Sequence, residues 1–311
     1  MYRLPAPSRG AVSVPRDGGG PASITSPGGA VSVPRGGGDR LSVAPLGGSG
    51  PALIAVAHGS RDPRSAATMA AVVAEVAAAR PDICVRLAFL DLSAPSVDEV
   101  VDDLAAHGHI DVIIVPLLLG NAFHARVDLP ALLVDSTRRH PHLRLTQAAV
   151  LGPDPLLISA LADRVATALH PAPPLPSGLA LLNVVAPARG SLDDPLLGIA
   201  VAAVGSRDAA ANRRTAVVAR RLAAVTGCPI ELCFATVEPG IERAVDRLRT
   251  RGAERIVVAP WFLAPGLLTD RLVAAAPEVV HADVIGAHAA LVDVVWARYD
   301  SSVATDLELS A

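Results

Sequence analysis

Three side chains have the types and spacing that could hold a borderline divalent metal: His58, Asp91 and His124, which recur at intervals of 33 residues. Imidazole and carboxylate are a common ligand set for such ions, and a neutral imidazole can also take up a proton as a general base. Each residue closes a different apolar run. His58 follows LIAVA at 53–57, Asp91 follows VRLAFL at 85–90, and His124 lies just past DVIIVPLLL at 111–119. In an open parallel sheet the carboxyl ends of the strands share one edge, where ligands bind, so residues far apart in sequence can converge there.

The elements that must position them read as βαβ units, because short apolar runs alternate with longer segments of helical period. Helices are expected over about 64–79, from Ser96 with Asp98 and Glu99 in the first turn, over about 125–139, and after the GPDP turn at 152–155; LRLTQAAV at 143–150 supplies a fourth strand. A Pro-rich stretch opens a linker at 171–195, after which the order returns. The second pass has strands at 198–204, 230–235, 255–263 and 278–286, with helices at 209–225 and 239–251. Landmarks recur in order: AVAHGSRD at 55–62 against AAVGSRD at 202–208, Pro116 against Pro260, and Gly152 against Gly286. The chain is therefore expected to be an internally duplicated α/β protein with lobes at 50–170 and 196–300. Residues 1–49, rich in Gly, Pro and Ser, bury too little apolar surface to offset ordering entropy and are expected to be disordered. A short tail is expected at 301–311.

Duplication separates fold from chemistry, since what the architecture needs should persist in both copies. The counterpart of His58 is Val204, that of Asp91 is Ala235 or Thr236, and Leu267 and Leu268 fall where His124 would lie. All three groups belong to the first copy alone.

Composition narrows the classes. A formal net charge of −3 with no basic run lacks the footprint of a nucleic-acid binder, and all 27 basic residues are Arg. Three cysteines without a CxxC pair argue against a disulfide framework or zinc ribbon. No apolar run reaches the roughly 18 residues of a membrane span, and a cytoplasmic location is expected. HGSRD could alternatively be a phosphate-handling turn, although no GxGxxG or P-loop pattern accompanies it. Ser60 reads as a turn residue or substrate contact, Asp128 as a helix charge or a partner of His124, and the other seven histidines as structural.

HGSRDPRS at 58–65, FLDLSAPS at 89–96 and VPLLLGNAFHARVDLP at 115–130 resemble the class II tetrapyrrole chelatases, specifically the sirohydrochlorin chelatases in their long, duplicated form. The resemblance implies two chelatase-like lobes, each a four-stranded parallel sheet flanked by helices, around a central cleft that takes the macrocycle. It implies that His58, Asp91 and His124 bind the incoming metal, with Asp91 standing where that family usually has Glu. His58 or His124 would take the pyrrole protons, and Fe²⁺ or Co²⁺, with Ni²⁺ sharing the same ligands, would be the only metal required. Sirohydrochlorin carries eight carboxylates, which makes Arg61, Arg64, Arg126 and Arg207 candidate contacts through guanidinium forks. The expected assembly is a monomer that acts as its own pseudo-dimer. Competing readings are a non-catalytic tetrapyrrole or metal carrier, and a phosphate-ester hydrolase, which is disfavoured because Ala57 precedes His58 where such an enzyme has Arg.

Overall fold

The structure is a computed structural model that describes residues 50–120, 128–170 and 191–310. The expected tail at 1–49 and most of the linker lie outside the described residues, as do His124 and Arg126. The first half runs β1 (Ala52–Ala57), α1 (Pro63–Ala79), β2 (Val85–Phe89), α2 (Val97–Ala106), β3 (Asp111–Pro116), α3 (Leu129–Arg139), β4 (Arg144–Gln147) and α4 (Pro155–Leu169). The second runs β5 (Leu197–Ala203), α5 (Ala209–Thr226), β6 (Ile230–Phe234), α6 (Ile241–Thr250), β7 (Arg255–Pro260), α7 (Leu267–Ala275), β8 (Val280–His281) and α8 (Ala289–Ser310). Both sheets are wholly parallel and share one order, β2-β1-β3-β4 and β6-β5-β7-β8.

Local chemistry sets the boundaries. Asp62, Asp154 and Asp208 each accept a backbone N–H two residues on and so cap α1, α4 and α5; Pro63 and Pro155 occupy first-turn positions where the missing N–H costs nothing. Ser96 and Glu99 form a reciprocal capping box on α2. The third strand of each half is shorter than its apolar run. β3 ends at Pro116, where Leu118 N–H turns back to the Pro116 carbonyl at 2.8 Å, and β7 ends at Pro260 with Phe262 doing the same at 2.9 Å. Those prolines also stop the edge strands. Ala148 donates to Ile114 and Ala282 to Val258, but the next rung would need an N–H that Pro116 and Pro260 lack. Hence the strand expected over 278–286 contracts to Val280–His281, and the one over 143–150 to Arg144–Gln147.

Two helices, α7 and α8, stand outside the elements expected from the sequence pattern, and α8 continues through the expected tail to Ser310. It crosses the molecule: α8 packs on α1 and β3 of the first half, while α4 packs on α5, β7 and β8 of the second. The exchange is reciprocal at residue level. Arg164 of α4 donates to the Ile285 carbonyl at 2.7 Å beyond β8, and Arg298 of α8 donates to the Leu151 carbonyl at 3.0 Å beyond β4. Trp296, 5% exposed, gives its indole N–H to Val76, Tyr299 gives its hydroxyl proton to Pro51, and the Arg80 guanidinium lies 4.3 Å from the Trp296 ring centre.

Three apolar layers result. The outer face of the first sheet packs under α2 and α3, that of the second under α6 and α7, and the inner faces of both join α1, α4, α5 and α8 in one continuous core. The three cysteines are buried and free, and burial pushes the Cys233 thiol up to about 12. Among the described residues no helix is long and apolar enough to cross a membrane.

Candidate functional site

The β1 and β2 ladder extends beyond the strands into the site. Leu90 N–H reaches the Ala57 carbonyl at 2.9 Å and Asp91 N–H reaches the His58 carbonyl at 3.0 Å, so these two site residues sit side by side at the carboxyl edge. Both are exposed. β3 flanks β1 on its other side, so the chain toward His124 leaves the sheet next to His58. The three strands that carry the expected ligands are thus contiguous. Among the described residues no group of three His, Cys, Asp or Glu side chains could hold a metal ion.

The two loops are held in close contact. Gly59 has φ +93°, and a Cβ there would stand 1.7 Å from the Asp91 carbonyl oxygen, so only glycine fits. Asp91 Oδ1 accepts Leu92 N–H at 2.8 Å, Ser93 N–H closes onto the Asp91 carbonyl at 2.7 Å, and Leu92 between them has φ +60°. A half-exposed leucine in the left-handed region is strained, and here the surrounding hydrogen bonds hold it. Ser93, to which the sequence alone assigns no role of its own, ties the loops together: its hydroxyl accepts Ser60 N–H at 3.1 Å and donates to the Ser60 carbonyl at 3.0 Å.

Ser60 itself acts as a turn residue, its Oγ accepting Asp62 N–H at 3.0 Å. Asp62 then caps α1 through Arg64 N–H at 3.0 Å. These contacts weaken the phosphate-turn reading, because a carboxylate of the chain already occupies the helix start. Hydrogen bonds from the Arg64 side chain and backbone hold the Asp62 carboxyl below the usual carboxylate range. Arg64 Nε and Nη2 grip Asp62 at 3.1 and 2.6 Å, while Nη1 reaches Asp270 of α7 at 3.2 Å; these partners raise the guanidinium pKa further. Arg61 and Arg207 are exposed and make no ion pair with a described residue. The Asp128 carboxylate does not cap α3.

The second half repeats this frame without its chemistry. Gly205 has φ +88°, Ser206 Oγ accepts Asp208 N–H at 3.1 Å, and Thr236 N–H reaches the Val204 carbonyl at 3.1 Å. That last bond settles the register: Thr236, not Ala235, stands opposite Asp91. The loop after β6 is one residue shorter, since Phe234 bonds the Pro239 carbonyl where Phe89 bonds that of Pro95. Between the halves lies a hollow of about 390 Å³, bordered by Thr68 and Arg164 on one side and by Pro265, Thr269, His281 and Asp283 on the other.

A family model described as CbiX matches residues 52–168 and again 198–302. The sirohydrochlorin cobaltochelatase of Priestia megaterium is 26% identical over 223 residues, covering 70% of this chain and 65% of the relative. The sirohydrochlorin ferrochelatase of Bacillus subtilis (strain 168) is 30% identical over 115 residues, covering 37% of this chain and 44% of the relative. The chain therefore spans less than two thirds of either relative's length. The solved structure of SirB from Bacillus subtilis with Fe³⁺ superposes with a TM-score of 0.65 at 21% identity, over 83% of this chain and 97% of that one, a likeness of fold.

Proposed function

The chain belongs to the CbiX family, and we propose that it inserts a divalent metal, Fe²⁺ or Co²⁺, into a sirohydrochlorin-type tetrapyrrole at the carboxyl edge of its first sheet. In this reading the lobe at 50–170 carries the chemistry and the lobe at 196–300 forms the far wall. The observation that carries it is one matched pair of backbone bonds. Asp91 to His58 in one copy and Thr236 to Val204 in the other occupy the same register, and only the first pair can ligate a metal.

The metal is a substrate, and no further cofactor is required. His58, Asp91 and His124 hold it as neutral imidazoles and a carboxylate, which bind a borderline ion without trapping it. Two N–H protons leave the macrocycle as the metal enters, and His58 or His124 accepts them as general base. Asp91 reaches less far than a glutamate would, and the Gly59 contact brings its backbone against the His58 loop to compensate. Arg61 and Arg207, kept in both copies and without an ion-pair partner among the described residues, receive substrate carboxylates from the two walls, and Arg126 joins them. The reciprocal exchange of α4 and α8 supports a monomer closing its own cleft.

Sirohydrochlorin mixed with Fe²⁺, Co²⁺ or Ni²⁺ gives a direct spectrophotometric test. Wild-type protein should produce a metal-dependent spectral change that His58→Ala abolishes while remaining folded. Binding of sirohydrochlorin without turnover under any metal would replace this reading with a carrier.

A further inference from the structure

Four contacts between basic and acidic side chains join the two halves among the described residues, and three of them run through the exchanged helices or their caps: Arg80 with Asp300, Arg298 with Asp154, and the His288 ring with Asp163. The fourth does not. Arg64, in the first turn of α1 and six residues past His58, binds Asp270 of α7 directly from lobe to lobe. The start of α7 also lies near the same turn, since a Cβ added at Gly266 would come within 3.9 Å of the Asp62 side chain.

The two carboxylates on Arg64 are not equivalent. The Asp62 side chain is 8% exposed, grips the guanidinium through Nε and Nη2, and caps α1, so it is fixed by three separate bonds. The Asp270 side chain is 51% exposed and accepts from Nη1 and Nη2 of Arg64, which is its only ion-pair partner among the described residues. Both partners are half exposed, so solvent screens the pair despite its two bonds, and a ligand carboxylate can take the same fork of N–H groups. Asp62 thus holds the Nε side of the guanidinium while Asp270, from the other lobe, takes the Nη1 and Nη2 edge.

We propose that Arg64 and Asp270 form an exchangeable latch: a carboxylate of the incoming ligand displaces Asp270 from Arg64, so that ligand entry releases the direct tie between the lobes. Asp270 is an internal competitor that sets the affinity for polycarboxylate ligands and does no chemistry. The proposal rests on the reading of the cleft as a tetrapyrrole site, adds Arg64 to the arginines that take its carboxylates and names what Arg64 must give up.

The test is fluorescence titration of metal-free sirohydrochlorin onto the full chain, together with Co²⁺ insertion kinetics, for wild type, Asp270→Asn, Arg64→Gln and the double variant. Asp270→Asn should tighten Kd and lower KM by about two- to fivefold, with kcat within about twofold of wild type. Arg64→Gln should weaken binding about tenfold or more, and Asp270→Asn should then add almost nothing, because the competition has lost its object. Unchanged or weaker binding by Asp270→Asn, in a wild type that chelates normally, overturns the latch and leaves the chelatase reading intact. A wild type that neither binds nor chelates removes that reading and the latch with it. Asp270 is exposed and on the surface of α7, so its single variant carries the test even if Arg64→Gln fails to fold.

Discussion

The two halves of this chain have the same strand order, the same glycine at the end of the first strand, the same serine-aspartate turn into the first helix and the same crossing arginine, yet they differ at every position that could do chemistry. What both halves keep is explained by local geometry: Gly59 and Gly205 by positive φ, Ser60 and Ser206 by an N–H two residues on, Arg164 and Arg298 by a carbonyl beyond the edge strand. What one half alone keeps, His58 and Asp91, is exposed, and the same frame stands in the second half with Val204 and Thr236 in their places. The second half therefore acts as an internal control, showing which residues this fold requires. Arg61 and Arg207 stand apart, repeated although no described ion pair needs them, and that is the reason to assign them to ligand.

The sharpest way to break the comparison is at the paired glycines. Gly59→Ala places a Cβ on a backbone oxygen and should cost about 3 kcal/mol or more by chemical denaturation. Gly205→Ala meets the Phe234 Cβ and a Val237 methyl at 2.8 Å and should cost less, because that approach is far less close than the one onto a backbone oxygen at Gly59. Equal losses would show that the first-half loops are no tighter than the second. Trp296→Ala should remove roughly 3 kcal/mol by emptying the exchanged-helix contact, with one cooperative transition retained because a single core spans both halves; two separated transitions would mean independent lobes. Ser60→Ala and Ser206→Ala should each cost about 1 kcal/mol, equally, if both serve only their turns; a chelation defect in Ser60→Ala alone would restore it as a substrate contact. The smallest effect concerns acid stability. The Asp62 carboxyl is depressed by Arg64, so its contribution is present above about pH 4 and fades as pH falls through the lower folded value. Asp62→Asn should flatten that acid limb in a pH titration of stability, and an unchanged limb would place the acid sensitivity elsewhere.

Much of this frame was legible because short-range chemistry wrote it. The caps at Asp62, Ser96 and Asp154 lie within three residues of the groups they satisfy, and the strand runs are strongly apolar. The contraction of the last strand in each half was not, because it depends on a proline in the neighbouring strand rather than on its own residues. Helix exchange was hidden for a related reason: an apolar face says that a helix is buried, not which sheet it covers. Arg64 reads in the sequence as a candidate contact for substrate carboxylates, and its partner Asp270 gives no signal because it lies 206 residues away. Ser93 lies within the FLDLSAPS motif, but its tie to Ser60 is 33 residues away and cannot be read from its own segment. The pairing of His58 with Asp91 could be inferred from the sheet edge, whereas the choice of Thr236 over Ala235 as the counterpart needed the observed hydrogen bond.

The central claim is that one copy does the chemistry and the other only builds the wall. It is tested most directly by the initial rate of Co²⁺ insertion into sirohydrochlorin for the reciprocal variants His58→Val and Val204→His in the full chain. The account predicts a loss of about 100-fold or more for His58→Val, no more than about a twofold change for Val204→His, and no recovery when both are combined. Insertion by His58→Val at the wild-type rate, from a protein of unchanged fold, would contradict it.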